Sequence, residues 1–205
     1  MTNNISFKQN IKFVNQHNFH KFVTNPRWEI GYAWHDPLYV TNKYSPNFYT
    51  LNVRTCTAGG FRNANGDAVG FHLLDCYENN KHAEDNCNKI YNAVENPISG
   101  ILVGSKQILG CKYSRSIFSK MEKFFTDRIK GVSIFKEHTY QDGGTSFVYH
   151  TETDTWFIRP QWGETLECAE GIEDIKKFYN KIIIANGDRV FIGDTEIDPK
   201  EIMHP

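Results

Sequence analysis

The chain has no run approaching the roughly 18 consecutive apolar residues of a membrane-spanning helix, so no helical membrane span is expected. It has no surplus of either charge: 23 Lys and Arg stand against 24 Asp and Glu, for a net charge of −1. Without a basic stripe, sequence-independent nucleic-acid binding is not expected, and no nucleic acid is assigned as a partner. It has no Cys-x-x-Cys pair, which removes zinc-ribbon and thioredoxin-type readings. Its five cysteines, Cys56, Cys76, Cys87, Cys111 and Cys168, are odd in number and irregular in spacing. A chain of 205 residues does not depend on disulfide staples, so these are read as free thiols in a reducing, cytoplasmic setting. Secretion into the cytosol of a host cell is the alternative, without a classical signal peptide, since Met1-Thr2-Asn3-Asn4 opens no such pattern. No internal repeat, coiled-coil heptad or low-complexity linker occurs.

What is present suffices for a packed core. Hydrophobic residues make up 40% and aromatic residues 14%, and the length suits a single domain over residues 1–205. Residues 5–23 carry Phe7, Ile11, Phe13, Val14, Phe19 and Phe22 in a weak helical pattern. Residues 24–48, with Pro26, Pro37 and Pro46, read as loop-rich cover, so that residues 1–45 form an N-terminal cover segment. Residues 76–96 are polar and helical in character up to Pro97, and residues 98–104 read as a short buried strand. Residues 114–129 carry the strongest helix: Ile117, Met121, Phe124, Phe125 and Ile129 recur at helical spacing, with Gly131 as its stop. A strand over 132–135 and a hairpin over 146–150 and 155–158 follow. A short helix over 172–179 and strands over 181–185, 189–192 and 195–197 complete the pattern. Many short strands with few helices give the α+β class, with residues 161–205 as a C-terminal extension.

Cys56 and His72 carry the chemistry. The run Tyr49-Thr50-Leu51-Asn52-Val53-Arg54-Thr55-Cys56 reads as one strand and Ala68-Val69-Gly70-Phe71-His72-Leu73-Leu74 as another. The glycine-rich stretch from Gly59-Gly60 to Asn65-Gly66-Asp67 reads as the turn between them. A hairpin of this kind brings a thiol and an imidazole side by side, the minimum for an activated cysteine nucleophile. Thr50, six residues before Cys56, is expected on the same strand face.

These residues resemble the chemoreceptor glutamine deamidases (CheD), whose hallmark is a Thr-Leu-Gly-x-Gly-Ser-Cys strand followed by a strand ending in a histidine. Here the matching stretch is Thr50-Leu51-Asn52-Val53-Arg54-Thr55-Cys56, with His72 sixteen residues beyond the cysteine. Weaker likeness extends through Ile98-Ser99-Gly100-Ile101-Leu102-Val103-Gly104-Ser105, the helix over 114–129, Gly131-Val132-Ser133-Ile134, Glu137-His138-Thr139, Gly143-Gly144 and Phe147-Val148-Tyr149. Residues 48–160 are covered as a deamidase-like core. The catalytic domain of cytotoxic necrotizing factor shares this type of thiol–imidazole site. The resemblance implies a CheD-like fold, with β-sandwich-like mixed sheets flanked by helices. It implies Cys56, His72 and Thr50 as catalytic residues, no cofactor, and a protein partner with an exposed glutamine. Asn52 and Arg54-Thr55 depart from the family's small residues, and a bacterial effector or toxin fits as well as a chemotaxis enzyme.

In such a site Cys56 attacks a glutamine carboxamide, His72 forms an ion pair with the thiolate and protonates the ammonia, and Thr50 orients the imidazole. Water then hydrolyses the thioester. Alternatives are another thiol amidase, a transglutaminase or a peptidase on the same dyad, or a non-catalytic binding module, which Arg54 and Thr55 would favour by crowding the cysteine. Cys111, beside Lys112, reads as a loop thiol. Cys76, His82 and Cys87 have metal-ligand residue types at a spacing that fits no closed zinc site, so no metal is assigned. His138 and His150 read as surface histidines, and Lys120, Lys123, Lys176 and Lys177 as solvated faces. Trp28, Trp34, Trp156 and Trp162 read as core or cover residues, with Trp34-His35-Asp36 placed to border the site.

Overall fold

The computed structural model describes residues 8–23, 28–30, 38–73, 80–106, 113–138, 143–163 and 167–205. Two mixed β-sheets pack face to face, and helices cover their outer faces. The seven-stranded sheet runs in the order β13-β12-β1-β10-β9-β4-β2. Its strands are β1 (Asn10–Phe13), β2 (Trp28–Glu29), β4 (Phe48–Val53), β9 (Gly143–His150), β10 (Thr155–Trp162), β12 (Arg189–Ile192) and β13 (Thr195–Ile197). The six-stranded sheet runs β11-β8-β7-β5-β6-β3. It contains β3 (Leu38–Val40), β5 (Thr57–Arg62), β6 (Ala68–Leu73), β7 (Ser99–Gly104), β8 (Gly131–Glu137) and β11 (Tyr179–Ile183). Helix α1 (Gln16–Val23) lies on the first sheet, and α2 (Asn80–Asn92) and α3 (Ser114–Thr126) lie on the second. The short α4 (Ile172–Phe178) leads into β11 and sends Ile175 and Phe178 into the core. The α+β class thus holds. No helix among the described residues is long and apolar enough to cross a membrane.

Alternation along the strands builds two separate apolar layers. On β6, Ala68 faces the other sheet, whereas Val69, Phe71 and Leu73 face α2 and α3. The helices answer with Ile90, Ile117, Phe118, Met121 and Phe125, the periodic apolar face read from residues 114–129. Between the sheets lie Ile11, Phe13, Phe48, Ile101, Val103, Phe135, Phe147, Tyr149, Trp156 and Ile158. Such strands, buried on both faces, read as continuous apolar runs.

Several sequence expectations change. The 49–56 strand and the 68–74 strand do not form one hairpin. β4 stops at Val53, residues 54–56 bend, and the chain crosses to the other sheet. Gly59 and Gly60 are strand residues of β5, and the turn is Asn63 to Asp67, where the Asn63 side chain accepts from the backbone N–H groups of Asn65 and Asp67. Glycine is needed at Gly60 because a Cβ there would lie 2.8 Å from Trp156 and 2.6 Å from the Val69 carbonyl. Of the segment 5–23, the described residues 8–23 hold a strand and a helix rather than a helix alone. Helix α3 ends at Thr126 with Asp127 as its cap, so Gly131 opens β8 instead of stopping the helix. The end segments are not appendages. β1 sits between β10 and β12, and β11 extends the second sheet.

Candidate functional site

Thr50 and His72 come from different sheets and meet in the space between them. Thr50 lies on β4, completely buried, and His72 lies on β6 with 1% of its surface exposed. Their contact is short: Thr50 Oγ1 stands 2.6 Å from His72 Nδ1. Thr50 Oγ1 also donates to the Ile30 carbonyl at 2.8 Å. A hydroxyl has one proton, and a carbonyl can only accept. With that proton committed to Ile30, Thr50 must accept from His72, so the proton of the neutral ring sits on Nδ1 and the lone pair on Nε2. Burial pushes the His72 pKa down to about 4, so the ring is neutral at physiological pH. Small residues make room for this contact. Gly70 is one, where a Cβ would lie 2.3 Å from Ile30 Cδ1 and 2.6 Å from Phe48.

Cys56 occupies the corner where the chain passes between the sheets. Two features make the corner. First, the four residues from Thr50 to Val53 stand against three on β9, a β-bulge that leaves both Thr50 and Val53 facing inward. Asn52 in the bulge has φ 52, a left-handed conformation that asparagine tolerates better than most residues. Its N–H is held by Ser146 Oγ at 3.1 Å. Second, Gly104 at φ 135 packs beneath the corner. A Cβ there would lie 2.3 Å from the Cys56 carbonyl oxygen.

The register then relates Cys56 to His72. Ala58 pairs with His72 and Thr57 with Leu73. Ala58 points between the sheets, as does the cross-strand partner opposite it. Cys56, two residues earlier, lies in the bend just before β5, one residue outside the paired register. Cys56 is 6% exposed and belongs to the inter-sheet core. Thr50 and Cys56 are therefore not on one continuous strand face. The bulge and the bend separate them: Thr50 meets His72 from β4, whereas Cys56 sits at the corner that leads into β5.

A buried polar cluster beside this corner was not foreseen. Glu137, at the end of β8, accepts the Thr145 N–H at 3.0 Å and the Thr145 hydroxyl at 2.7 Å, joining the two sheets. Thr145 Oγ1, its proton so used, accepts from the Tyr179 hydroxyl at 2.9 Å. Burial raises the Glu137 pKa to about 8, opposed by the bonds from Thr145 and by the positive charges of Lys106 and Arg54. Lys106 is itself buried and donates to the Gly143 carbonyl at 3.0 Å. No local motif joins residues 54, 106, 137, 145 and 179. Only the topology does.

The other expected residues are dispersed. Cys87 packs between α2 and α3, and Trp156 is a core residue whose indole N–H donates to Gln9. His150 contacts Thr153 in the β9–β10 turn. His138 follows Glu137, its pKa lowered by desolvation and by His204 and Arg115. A cleft of about 770 Å³ lies away from Thr50, Cys56 and His72, lined by Asn15, Gln16, Trp162, Cys168, Asp174 and Lys177 among others. Lys123 and Lys176 form helical ion pairs with Asp127 and Glu173. Cys76, Cys111, Trp34-His35-Asp36 and the Trp28 side chain fall outside the described residues. No group of potential metal ligands is found among the described residues. No protein-family model matches the chain, and no curated protein matches it either.

Proposed function

We propose that the protein is a cysteine-dependent amidohydrolase that converts glutamine side chains of a protein substrate to glutamate. The observation that carries this reading is the Thr50–His72 contact at 2.6 Å together with the Thr50–Ile30 bond, which leaves Nε2 of His72 as the basic nitrogen. A general base needs that lone pair directed at the nucleophile, with the other nitrogen held by an orienting group. Threonine takes the part that a carboxylate or amide plays in other thiol enzymes.

A neutral, buried His72 changes the expected sequence of proton transfers. A preformed thiolate–imidazolium pair would place a positive charge where burial disfavours it. The Cys56 proton therefore passes to His72 Nε2 as the sulfur attacks the carboxamide carbon. The oxyanion is held by backbone N–H groups of the 54–56 bend. The C–N bond breaks as His72 returns the proton to nitrogen, and ammonia leaves a thioester on Cys56. Water, deprotonated by His72, then attacks the thioester carbon and releases glutamate and the thiol. The resemblance of residues 48–160 to chemoreceptor deamidases supports the same chemistry, and an effector acting in a host cytosol accommodates it as well.

The test is mass spectrometry of glutamine-containing peptides and proteins incubated with wild-type and Cys56→Ala protein. Replacement of a carboxamide NH2 by OH, with ammonia release, is expected for wild type alone. A gain that survives Cys56→Ala removes Cys56 as nucleophile. Cross-linked or cleaved products in place of glutamate assign the same dyad to transglutamination or proteolysis.

A further inference from the structure

The cleft that Trp162 and Cys168 line owes its place to the topology. β1 and β10 are parallel neighbours, and the chain leaves their carboxyl ends toward opposite faces of the seven-stranded sheet. After β1 it enters α1, which packs on the outer face against Val148 and Phe157. After β10 it returns along that strand at residues 167–169 and enters α4, which sends Ile175 and Phe178 between the sheets. Adjacent parallel strands whose connections diverge in this way open a crevice beyond their carboxyl ends, the ordinary place for a small ligand. The cleft of about 770 Å³ is that crevice. A smaller cavity of about 190 Å³ continues it past Asn15 and Glu170, which line both, to Ile192 at the end of β12. The groove so formed is elongated and has the size of a small-molecule site.

Acceptors dominate the wall. Glu167, Glu170 and Asp174 stand against one ammonium, Lys177, and the exposed imidazole of His17. Among the described residues Glu170 and Asp174 make no ion pair. Two amide carbonyls add to the acceptors. Gln16 lines the cleft, and its Oε1 is buried without a partner. Gln161 is 8% exposed, and its Oε1 is likewise buried without a partner. Strand pairing directs the Gln161 side chain at the cleft. Trp162 N–H donates to the Glu167 carbonyl and Ala169 N–H to the Pro160 carbonyl, so Gln161 and Cys168 form a non-hydrogen-bonded pair with both side chains on one face. Cys168 lines the cleft and accepts the Gln16 backbone N–H. The Asn18 N–H is taken by Asn15 Oδ1 at 3.0 Å, so the start of α1 is a poor seat for an anion. Arg159 is engaged with Ser146 and the Phe19 ring and does not line the cleft. Lys177 Nζ lies 5.6 Å from the Trp162 ring centroid, so the indole already holds an alkylammonium.

We propose that this groove is a binding site for a linear diamine or polyamine. One ammonium takes the place of Lys177 over Trp162, beside Asp174 one helical turn away on α4. The second reaches Glu170, where the two cavities join. The orphaned carbonyls of Gln16 and Gln161 accept N–H groups of the ligand. The length of the groove and its two separate carboxylates favour two charges over one. The site is independent of the chemistry at Cys56.

The test is isothermal titration of the native protein at low salt with cadaverine, a linear diamine. Pentylamine, pentanediol and glutarate serve as the monocation, the neutral diol and the dianion of the same length. Cadaverine should bind, pentylamine about tenfold more weakly, and the other two not at all. Lys177→Ala removes the resident ammonium and should tighten cadaverine binding about threefold to fivefold. Asp174→Asn and Glu170→Gln, at exposed positions, should each weaken it about threefold. Gln161→Met keeps the side-chain shape and removes a buried acceptor that lacks a partner. It should therefore raise the denaturation midpoint while weakening cadaverine binding, opposite signs that a purely structural role would not give. Absence of saturable cadaverine binding, equal affinity for pentylamine, or preference for glutarate overturns the proposal. So does an affinity that Lys177→Ala and Asp174→Asn leave unchanged, since attraction to the protein surface at large gives that result.

Discussion

At the scale of single residues, one hydroxyl fixes the tautomer of the buried His72 ring. Thr50→Val keeps the shape of the side chain but strands the Nδ1 proton of His72 and the Ile30 carbonyl in a dry interface. Each buried group so orphaned costs about 1–3 kcal/mol. Denaturation should therefore show a loss of about 2 kcal/mol or more, and Cys56 alkylation should slow by about tenfold as the ring tautomer is released. Thr50→Ser keeps the hydroxyl and should recover most of both. A Thr50→Val protein with unchanged alkylation would show that the tautomer does not matter. Order and spacing in the sequence singled out Thr50, Cys56 and His72 together, and of these the structure places Thr50 against His72. The cluster of Glu137, Thr145, Tyr179 and Lys106 could not be read in this way, since its members are joined by strand register and by no local motif.

At the scale of elements, the decisive features are the bulge at Asn52 and the glycine under the Cys56 corner. Gly104→Ala adds a Cβ 2.3 Å from the Cys56 carbonyl at a backbone φ of 135. Overpacking and strain of this kind cost about 1–3 kcal/mol each. The variant should be destabilised by that order and should show altered Cys56 reactivity, because the backbone that moves is the one that carries the thiol. Gly171→Ala, where a Cβ meets nothing within 4 Å, should change the unfolding free energy by less than about 0.5 kcal/mol. Element existence was widely legible: α3, the β9–β10 hairpin, β12 and β13 all follow from periodicity and turn residues. The connection from Thr50 to His72 was not. Asn-Gly at 65–66 does mark a hairpin, but its upstream strand begins only at Thr57, and nothing in Arg54-Thr55-Cys56 announces a change of sheet. Glycines inside β5 and β6 look like turn formers in the sequence, whereas they are strand residues thinned to admit Phe48 and Trp156 from the opposite sheet.

At the scale of the whole molecule, polar links bind the sheets at both ends of the sandwich, and they make stability depend on pH. Glu137 has a pKa raised from 4.5 to about 8, so its contribution is full below 4.5 and is lost as pH rises through about 8. Asp188, which accepts from Gln9 and Ser133 at the far end, is raised from 3.8 to about 6 and acts in the same direction over a lower window. His72 acts oppositely. Its pKa falls from 6.5 to about 4, so its contribution is present above 6.5 and is lost as pH falls through about 4. Above 6.5, Glu137 is the one of these three still titrating. Denaturation midpoints should therefore decline from about pH 6.5 to about pH 8.5, and Glu137→Gln should flatten that decline. An equal slope in the variant would place the titration elsewhere. Two mixed sheets with helices outside were anticipated as a class, but the incorporation of both chain ends was not, because parallel pairing between residues so far apart leaves no local trace. That pairing also governs how the protein is made. Asn10–Phe13 leaves the ribosome well before the strands that flank it, Thr155–Trp162 and Arg189–Ile192. At roughly 5–20 residues per second, Ile11 and Phe13 wait on the order of ten to forty seconds for their neighbours. The seven-stranded sheet is thus closed only after Arg189–Ile192 has been translated, and until then Asn10–Phe13 lacks its full set of neighbours.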